Sequence, residues 1–222
     1  MFRYILLAIN LLIFTPLFSL LIVLIGIFDS NKDNTGYLTR LWARIILKFT
    51  NIQYSIEGFD KLDFKKKYII ISNHQSVIDI LIAFAIFPMP ISFFTKRELF
   101  SIPLFGFAMK CAGMVPVDRY NKEKSKESVD IAVSKIHSTN LSFVNCPEGT
   151  RMPFGELGEF KKGGFILAIK SGLPIIPLTI SYNKSLIRVV VHDVIDSLNY
   201  KLSSKELLIE KTRKVILSSF NT

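Results

Sequence analysis

The chain has 222 residues, and 50% of them are hydrophobic, which is enough for one core and a short accessory segment. The formal net charge of +10 favours an anionic partner, and the 19 phenylalanines favour a membrane surface over a nucleic acid. The chain has two cysteines, Cys111 and Cys146, too few for a dense disulfide framework. Neither has metal-ligand spacing with the three histidines. This cysteine usage suits a reducing, cytoplasm-facing site.

Residues 4–28 contain no charged side chain, and as a helix they would extend about 37 Å, enough to cross a bilayer. Pro16, with Asn10, Thr15 and Ser19 around it, permits a kink or a shallow re-entrant helix instead of one clean span. A cleaved signal peptide is the less favoured alternative, because no small-residue cleavage site follows. We expect a membrane-associated segment that spans the bilayer or dips into it.

The basic residues around this segment predict its orientation if it spans. Arg3 precedes the segment, whereas Lys32, Arg40, Arg44 and Lys48 follow within about 20 residues of its end. Positive charge accumulates on the cytoplasmic side of membrane proteins. The rest of the chain should therefore face the cytoplasm.

Residues 37–49 form the clearest amphipathic helix of the sequence. Arg40, Arg44 and Lys48 recur every four residues and make one basic stripe. The apolar side chains available to the other side are Leu38, Leu41, Trp42, Ile45 and Phe49. Such a helix can lie at an anionic membrane interface, and the alternative is an ordinary helix packed on the rest of the chain with a solvated basic face. We divide the chain into N-terminal membrane-associated helices at 1–50 and a folded domain at 51–222.

From residue 52 the pattern alternates between strands and helices, which predicts an α/β fold with a mixed β-sheet flanked by helices. The predicted strands cover 52–56, 68–71, 91–94, 115–117, 175–180 and 187–194, with one more opening the stretch 141–151. The predicted helices cover 76–87, 99–111, 122–137 and 165–170, with Pro103 near the first turn of the second. A capping box of Ser203 and Glu206 predicts a last helix to about residue 220.

The stretch 68–79, YIIISNHQSVID, places a histidine and a carboxylate where a strand ends and a helix begins. On one continuous helix this separation would turn Asp79 about 140° away from His74, so the two meet only if His74 lies in the turn. The helix N-terminus then disfavours the imidazolium, and Asp79 can hold the other ring nitrogen, as in a general base with its orienting carboxylate. The alternative is a structural histidine beside a helix-capping aspartate.

A second stretch, LSFVNCPEGTR at 141–151, is a strand ending in a turn that carries Glu148, Gly149, Thr150 and Arg151. Together, N-H-x-x-x-x-D at 73–79 and P-E-G-T-R at 147–151 resemble the motifs of glycerolipid acyltransferases, specifically 1-acyl-sn-glycerol-3-phosphate acyltransferases. The resemblance continues, in the family's order, through K-R-E-L at 96–99, V-P-V-D-R at 115–119, F-K-K-G at 160–163 and P-I-I-P at 174–177. Cys146 stands where the family usually has an aromatic residue.

The basic residues that follow predicted strands suit a phosphomonoester, because the planar fork of arginine makes paired hydrogen bonds with phosphate oxygens. Arg151 is the first candidate, followed by Lys96 and Arg119. The resemblance implies that these residues hold the phosphate of the acyl acceptor. Lys161 and Lys162 are weaker candidates, with a pair of solvated lysines as the alternative.

The resemblance also places the turn residues Glu148, Gly149 and Thr150 at the site. We expect Glu148 and Gly149 to shape the loop that meets the acceptor and not to transfer protons. It further implies a glycerolipid acyltransferase-like fold, with 51–222 as the catalytic domain.

The expected reaction is direct acyl transfer to the 2-hydroxyl of 1-acyl-sn-glycerol-3-phosphate, which gives phosphatidic acid in phospholipid biosynthesis. His74 would take the hydroxyl proton while the oxygen attacks a thioester carbonyl, and Asp79 would stabilise the imidazolium. This route needs no metal and no cofactor; acyl-CoA or acyl-carrier protein is the co-substrate. Backbone amides near His74 are a first guess for the oxyanion donors. A covalent route through Cys146 is the alternative.

Other acceptors and other functions stay open as alternatives. The same motifs serve glycerol-3-phosphate, lyso-ornithine lipid and other lysophospholipids. One alternative is a non-catalytic membrane lipid-binding protein on this fold, and the intact His74 and Asp79 argue against it. Another is a metallohydrolase, and the lack of further metal ligands at the right spacing from His137 and His192 argues against that. We expect lysophosphatidic acid, an acyl donor and anionic membrane lipids as partners, no nucleic acid, and a membrane location.

Overall fold

The computed structural model describes residues 2–118, 121–183 and 186–220. Its strands are β1 Tyr54–Glu57, β2 Ile69–Ser72, β3 Ile91–Lys96, β4 Val115–Val117, β5 Ser142–Asn145, β6 Ile175–Tyr182 and β7 Ile187–Val191. They form one sheet in the order β1-β7-β6-β2-β5-β3-β4. Neighbouring strands run parallel, except that β6 and β7 are antiparallel. The predicted α/β fold with a mixed sheet is confirmed.

Helices cover both faces of this sheet. They are α1 Phe2–Gly26, α2 Asp33–Phe49, α3 Val77–Ile86, α4 Phe105–Cys111, α5 Lys122–Ser138, α6 Gly163–Ser171 and α7 Lys205–Ser218. Ile70 of β2 belongs to the core under α2, α3 and α4, whereas Ile69 and Ile71 belong to the core under α5, α6 and α7. Because successive strand side chains point to opposite faces, one short apolar strand contributes to both cores.

The first helix continues through Pro16 as one element. The segment Tyr4–Gly26 is long and apolar enough to cross a membrane, by length and composition. Most of its apolar side chains are exposed, and those buried against the rest of the protein are Leu7, Phe18 and Ile22. An exposed apolar surface of this extent indicates membrane association.

Two of the three residues in the basic stripe predicted on α2 bond to α3 and the residues that follow it. Arg40 donates from Nη1 to the carbonyl oxygens of Phe87, at 3.2 Å, and Pro88. Arg44 donates from Nε to the carbonyl oxygen of Ala85 at 2.8 Å. The last carbonyls of a helix have no partner within the helix and carry partial negative charge, so the two arginines satisfy the end of α3. These contacts pack α2 against α3 through Arg40 and Arg44. The interfacial placement of α2 stays a prediction.

The helix predicted at 99–111 is shorter than expected. The structure has a 3₁₀ turn at Arg97–Ser101 and starts α4 only at Phe105. Pro103 is the reason, because a proline disfavours the helical conformation of the residue before it. Ile102 is accordingly extended, with φ −71° and ψ 120°.

The capping box predicted for the last helix is wrong. The residue before α7 is Ser204, not Ser203, and its hydroxyl makes no capping bond to that helix. It accepts instead from the backbone N–H of Lys201 at 3.0 Å, which closes the preceding 3₁₀ turn. Glu206 therefore lies in the first turn of α7 without a serine partner for a capping box.

The parallel strands at the centre of the sheet position the candidate site. β2 lies between β5 and β6 and runs parallel to both. The C-terminal ends of parallel strands meet at the same edge of a sheet, where ligands commonly bind. His74 follows the end of β2 and Glu148 follows the end of β5, so the two motif stretches meet at this edge.

Candidate active site

His74 and Asp79 form the pair that the sequence predicts. His74 lies in the turn after β2, and Asp79 is the third residue of α3, whose N-cap is Ser76. Nδ1 of His74 is 3.0 Å from Oδ2 of Asp79. The imidazole side chain is 16% exposed and the carboxylate only 2%. Contact through Nδ1 leaves Nε2 to accept a proton from a substrate.

The carboxylate of Asp79 is held by donors on both of its oxygens. Oδ2 also accepts the backbone N–H groups of Gln75 at 2.7 Å and Ser76 at 2.8 Å. Oδ1 accepts the hydroxyl of Tyr182. Asp79 thus caps α3 and contacts the imidazole with the same side chain.

Glu148 holds the backbone around the base. Its Oε2 accepts the N–H of His74 at 2.7 Å, and its Oε1 accepts the N–H of Gly158 at 3.0 Å. The residue is 4% exposed, and burial raises the pKa of Glu148 above its ordinary value, against the lowering effect of the two backbone donors. The N–H of Met152 donates to the carbonyl of His74 at 2.8 Å. These contacts agree with a loop-shaping role for Glu148.

The three backbone N–H groups that follow Asn73 are already occupied. Glu148 takes the N–H of His74, and Asp79 takes those of Gln75 and Ser76. An N–H group committed to a buried carboxylate is not available to a developing oxyanion. The guess that amides near His74 supply the oxyanion donors is therefore wrong for these three groups.

Gly149 and its neighbours form the turn after β5. Gly149 has φ +73°, a conformation that favours glycine, and a Cβ there would lie 2.8 Å from Nζ of Lys161. Thr150 and Arg151 are exposed on this turn. Because Met152 bonds the His74 carbonyl, Arg151 is one residue from a direct backbone contact with the base.

The other first candidates for phosphate binding are Lys96 and Arg119. Lys96 ends β3, is 53% exposed in its side chain and pairs with Glu98 at 3.6 Å. Arg119 lies outside the described residues. Of the basic candidates, the described chain brings Arg151 and Lys161 to the turn beside His74.

A cleft of about 660 Å³ opens beside His74, within the roughly 300–1,000 Å³ range of small-molecule sites. Its wall includes apolar side chains from β3, β5, α3, α5 and α6, namely Ile80, Phe93, Phe94, Val129, Val144 and Ile166. Four lysines also line it, namely Lys126, Lys161, Lys162 and Lys170. The cleft can therefore hold a ligand that has both apolar and anionic parts. Among the described residues, no group of three or more His, Cys, Asp or Glu side chains is placed to hold a metal ion.

Comparison with known proteins assigns the family. Residues 46–181, more than half of the chain, match the family described as Acyltransferase. The chain belongs to the Acyltransferase family. It is 29% identical over 199 residues to the chloroplastic 1-acyl-sn-glycerol-3-phosphate acyltransferase BAT2 of Brassica napus, which covers 83% of this chain and 56% of that protein. It is 33% identical over 150 residues to the 1-acyl-sn-glycerol-3-phosphate acyltransferase of Saccharomyces cerevisiae, which covers 67% of this chain and 49% of that protein.

A solved structure shares the fold of this Acyltransferase family member. The 1-acyl-sn-glycerophosphate acyltransferase PlsC of Thermotoga maritima superposes with a TM-score of 0.78 at 18% identity, covering 98% of this chain and 94% of that one. The chain spans about half the length of the curated relatives it matches. The predicted resemblance is confirmed at the level of family and fold.

Two side chains of the site escape prediction from the sequence. The buried amide of Asn73 donates to the carbonyl of Ile180 and accepts the N–H of the same residue, each at 2.8 Å. Tyr182 donates its hydroxyl to Asp79 from the end of β6. The alternation of apolar residues along 175–180 places Tyr182 on the same sheet face as Ile180. It does not identify Asp79 as the partner of Tyr182.

Proposed function

We propose that this protein transfers a fatty acyl group from an acyl thioester to the 2-hydroxyl of 1-acyl-sn-glycerol-3-phosphate, giving phosphatidic acid. The observation that carries the proposal is the His74–Asp79 pair, 3.0 Å apart, at the mouth of an apolar cleft lined with lysines. Relatives named as 1-acyl-sn-glycerol-3-phosphate acyltransferases support the choice of acceptor.

His74 acts as the general base in this mechanism. Nε2 accepts the proton of the acceptor hydroxyl while the hydroxyl oxygen attacks the thioester carbonyl carbon. Asp79, bonded to Nδ1, stabilises the imidazolium that forms. Collapse of the tetrahedral intermediate breaks the carbon–sulfur bond, and the imidazolium returns its proton to the departing thiolate. The chain's own residues need neither a covalent intermediate nor a cofactor for this sequence of steps.

Basic residues beside the base are proposed to bind the acceptor's phosphate. Arg151 is the first choice because its backbone neighbours the base, and a guanidinium can bind phosphate oxygens in pairs. Lys161, whose amine lies over Gly149 at the same turn, joins it as a second donor. Lys96 and Arg119 stay proposals from the family motifs.

The N-terminal helices are proposed to hold the site at the cytoplasmic face of an anionic membrane. α1 exposes apolar side chains along its length, for example Leu12 at 76% and Ile13 at 59%. A substrate whose acyl chain resides in the bilayer then reaches the cleft without crossing water. Either acyl-CoA or acyl-carrier protein can serve as the anionic donor for a chain of net charge +10.

The test is radiolabelled acyl transfer by the purified full chain in lipid or detergent. Lysophosphatidate, glycerol-3-phosphate and lyso-ornithine lipid are each offered with acyl-CoA and with acyl-carrier-protein thioesters. We expect phosphatidate from the wild type and none from His74→Ala, with normal transfer by His137→Ala, which removes an exposed histidine on α5. Turnover by His74→Ala would reject the base, and transfer only to another acceptor would reject lysophosphatidate as the substrate.

A further inference from the structure

Tyr182 ends β6, the strand beside β2. Leu178, Ile180 and Tyr182 share the sheet face that α3 covers, because strand side chains alternate. The ladder between β2 and β6 ends at Leu178. Beyond that point the side-chain amide of Asn73 continues the pairing, by bonding both backbone groups of Ile180. This amide clamp fixes the end of β6 against the turn that carries the base.

The clamp brings the Tyr182 hydroxyl to the carboxylate from the side opposite the imidazole. The hydroxyl donates to Oδ1 of Asp79, whereas Oδ2 bonds Nδ1 of His74 at 3.0 Å. The tyrosine ring is packed edge-on against Phe154, with ring centroids 5.0 Å apart. Tyr182 thus reaches the base through the carboxylate.

The hydroxyl stays a donor at every pH of interest. Burial, then the charge of Asp79 and the hydrogen bond to it, raises the pKa of Tyr182 far above its ordinary value of 10.0. The other titratable groups that act on this cluster are His74, Glu148 and Tyr4. The phenol therefore keeps its proton and can donate it to Asp79 in a hydrogen bond.

We propose that Tyr182 is a positioning residue that sets the orientation of His74 through Asp79. The last torsion of an aspartate side chain has a broad energy profile, so donors on one oxygen alone hold the carboxylate plane loosely. The Tyr182 hydroxyl fixes the second oxygen, and the fixed plane directs the Nδ1–H of His74 and hence Nε2 toward the acceptor. This role rests on the proposed function, because it is defined by the proton transfer at Nε2.

Tyr182→Phe tests the role by removing one oxygen atom. We expect kcat to fall about tenfold, with KM for the donor and for lysophosphatidate each within about twofold of the wild type, because only the base is affected. Tyr68→Phe is the matched control, since it deletes a hydroxyl that bonds the carbonyl of Asp63 at 3.1 Å, in a residue 3% exposed. It should leave kcat unchanged. An unchanged kcat in Tyr182→Phe, or a raised KM for either substrate with normal kcat, overturns the proposal.

The pH dependence separates positioning from a loss of packing. Without its donor on Oδ1, the Asp79 carboxylate keeps more negative charge on its oxygens. That charge faces the His74 ring and stabilises the imidazolium. The rising limb of kcat/KM should therefore move to higher pH in Tyr182→Phe, as should the NMR titration midpoint of His74. Phe154→Leu loses the ring contact, keeps the hydroxyl and should move neither. A shift in Phe154→Leu equal to that in Tyr182→Phe overturns the proposal.

A double-mutant cycle tests whether the effect passes through Asp79. In an Asp79→Asn background, Tyr182→Phe should lower kcat by less than twofold, whereas a further tenfold loss would show an independent effect and overturn the proposal. The NMR titration of His74 does not depend on turnover. A wild type without activity but with a shifted titration in Tyr182→Phe rejects the proposed function alone, and an active wild type with an unshifted titration rejects this inference alone.

Discussion

Asp79→Asn isolates the charge of the carboxylate from its hydrogen bonds. The asparagine oxygen can occupy the Oδ2 position, where it still accepts from His74, Gln75 and Ser76. Its amide nitrogen then faces the hydroxyl of Tyr182, which can rotate and accept. Asp79→Ala is a poorer test, because each buried donor left without a partner costs about 1–3 kcal/mol of stability.

The size of the effect follows from the geometry of the pair. Nδ1 and Oδ2 are 3.0 Å apart and the carboxylate is 2% exposed. The charge centres of imidazolium and carboxylate then lie roughly 4 Å apart, where opposite charges attract by about 4 kcal/mol at an effective dielectric constant of about 20. Since about 1.4 kcal/mol changes a rate tenfold, and the neutral amide keeps the hydrogen bond, kcat should fall by about 100- to 1,000-fold.

The assay is steady-state acyl transfer beside thermal unfolding of the same preparations. The melting temperature of Asp79→Asn should stay close to that of the wild type, because the cap of α3 is retained. Asp193→Asn is the control, since it removes an exposed aspartate that pairs with Lys61 at the surface. Activity of Asp79→Asn within tenfold of the wild type would refute the claim that the carboxylate stabilises an imidazolium.

Three further changes probe other parts of the site. Arg151→Ala should raise the KM for lysophosphatidate about tenfold or more with little change in kcat, as for a phosphate contact; an unchanged KM argues against that contact. Cys146→Ala should keep most of the activity, and its loss would favour the covalent route instead. Glu148 has a folded-state pKa above its ordinary value of 4.5, so the stability it contributes is present below that value and is lost as pH rises through the folded pKa. Glu148→Gln should abolish this decline, so its melting temperature falls less than that of the wild type as pH rises above about 4.5; parallel curves would contradict the burial of an ionisable group there.

The sequence predicts those parts of the protein that depend on neighbouring residues. His74 and Asp79 meet because a turn and the first turn of a helix are local structures with recognisable signals. The strand at β2 follows from a run of isoleucines that pack on both faces of a parallel sheet. The motif order from residue 73 to residue 177 adds the family, which the family match over 46–181 confirms.

The sequence does not predict contacts whose partners are far apart in the chain. Arg44 pairs with a carbonyl 41 residues away, and no periodicity on α2 indicates that partner. Tyr182 is separated from Asp79 by 103 residues, so strand alternation gives its face but not its neighbour. The sequence also does not predict that the backbone N–H groups of residues 74–76 are occupied. One of their acceptors is Glu148, which lies 74 residues from His74. Sequence patterns describe which face a residue lies on, whereas the fold decides what it touches.

The position of β2 between β5 and β6 has a consequence for the order in which the protein is made. Ile69 pairs with Phe143 on one side and with Ile175 on the other, so the edge that carries the base closes only after both later strands have been synthesised. Chains fold as they emerge, and long-range strand pairing is slow. α1 can thus reach a membrane before the site exists. A nascent chain halted before β6 would contain the whole histidine motif, yet lack the strand and the hydroxyl that hold its carboxylate in place.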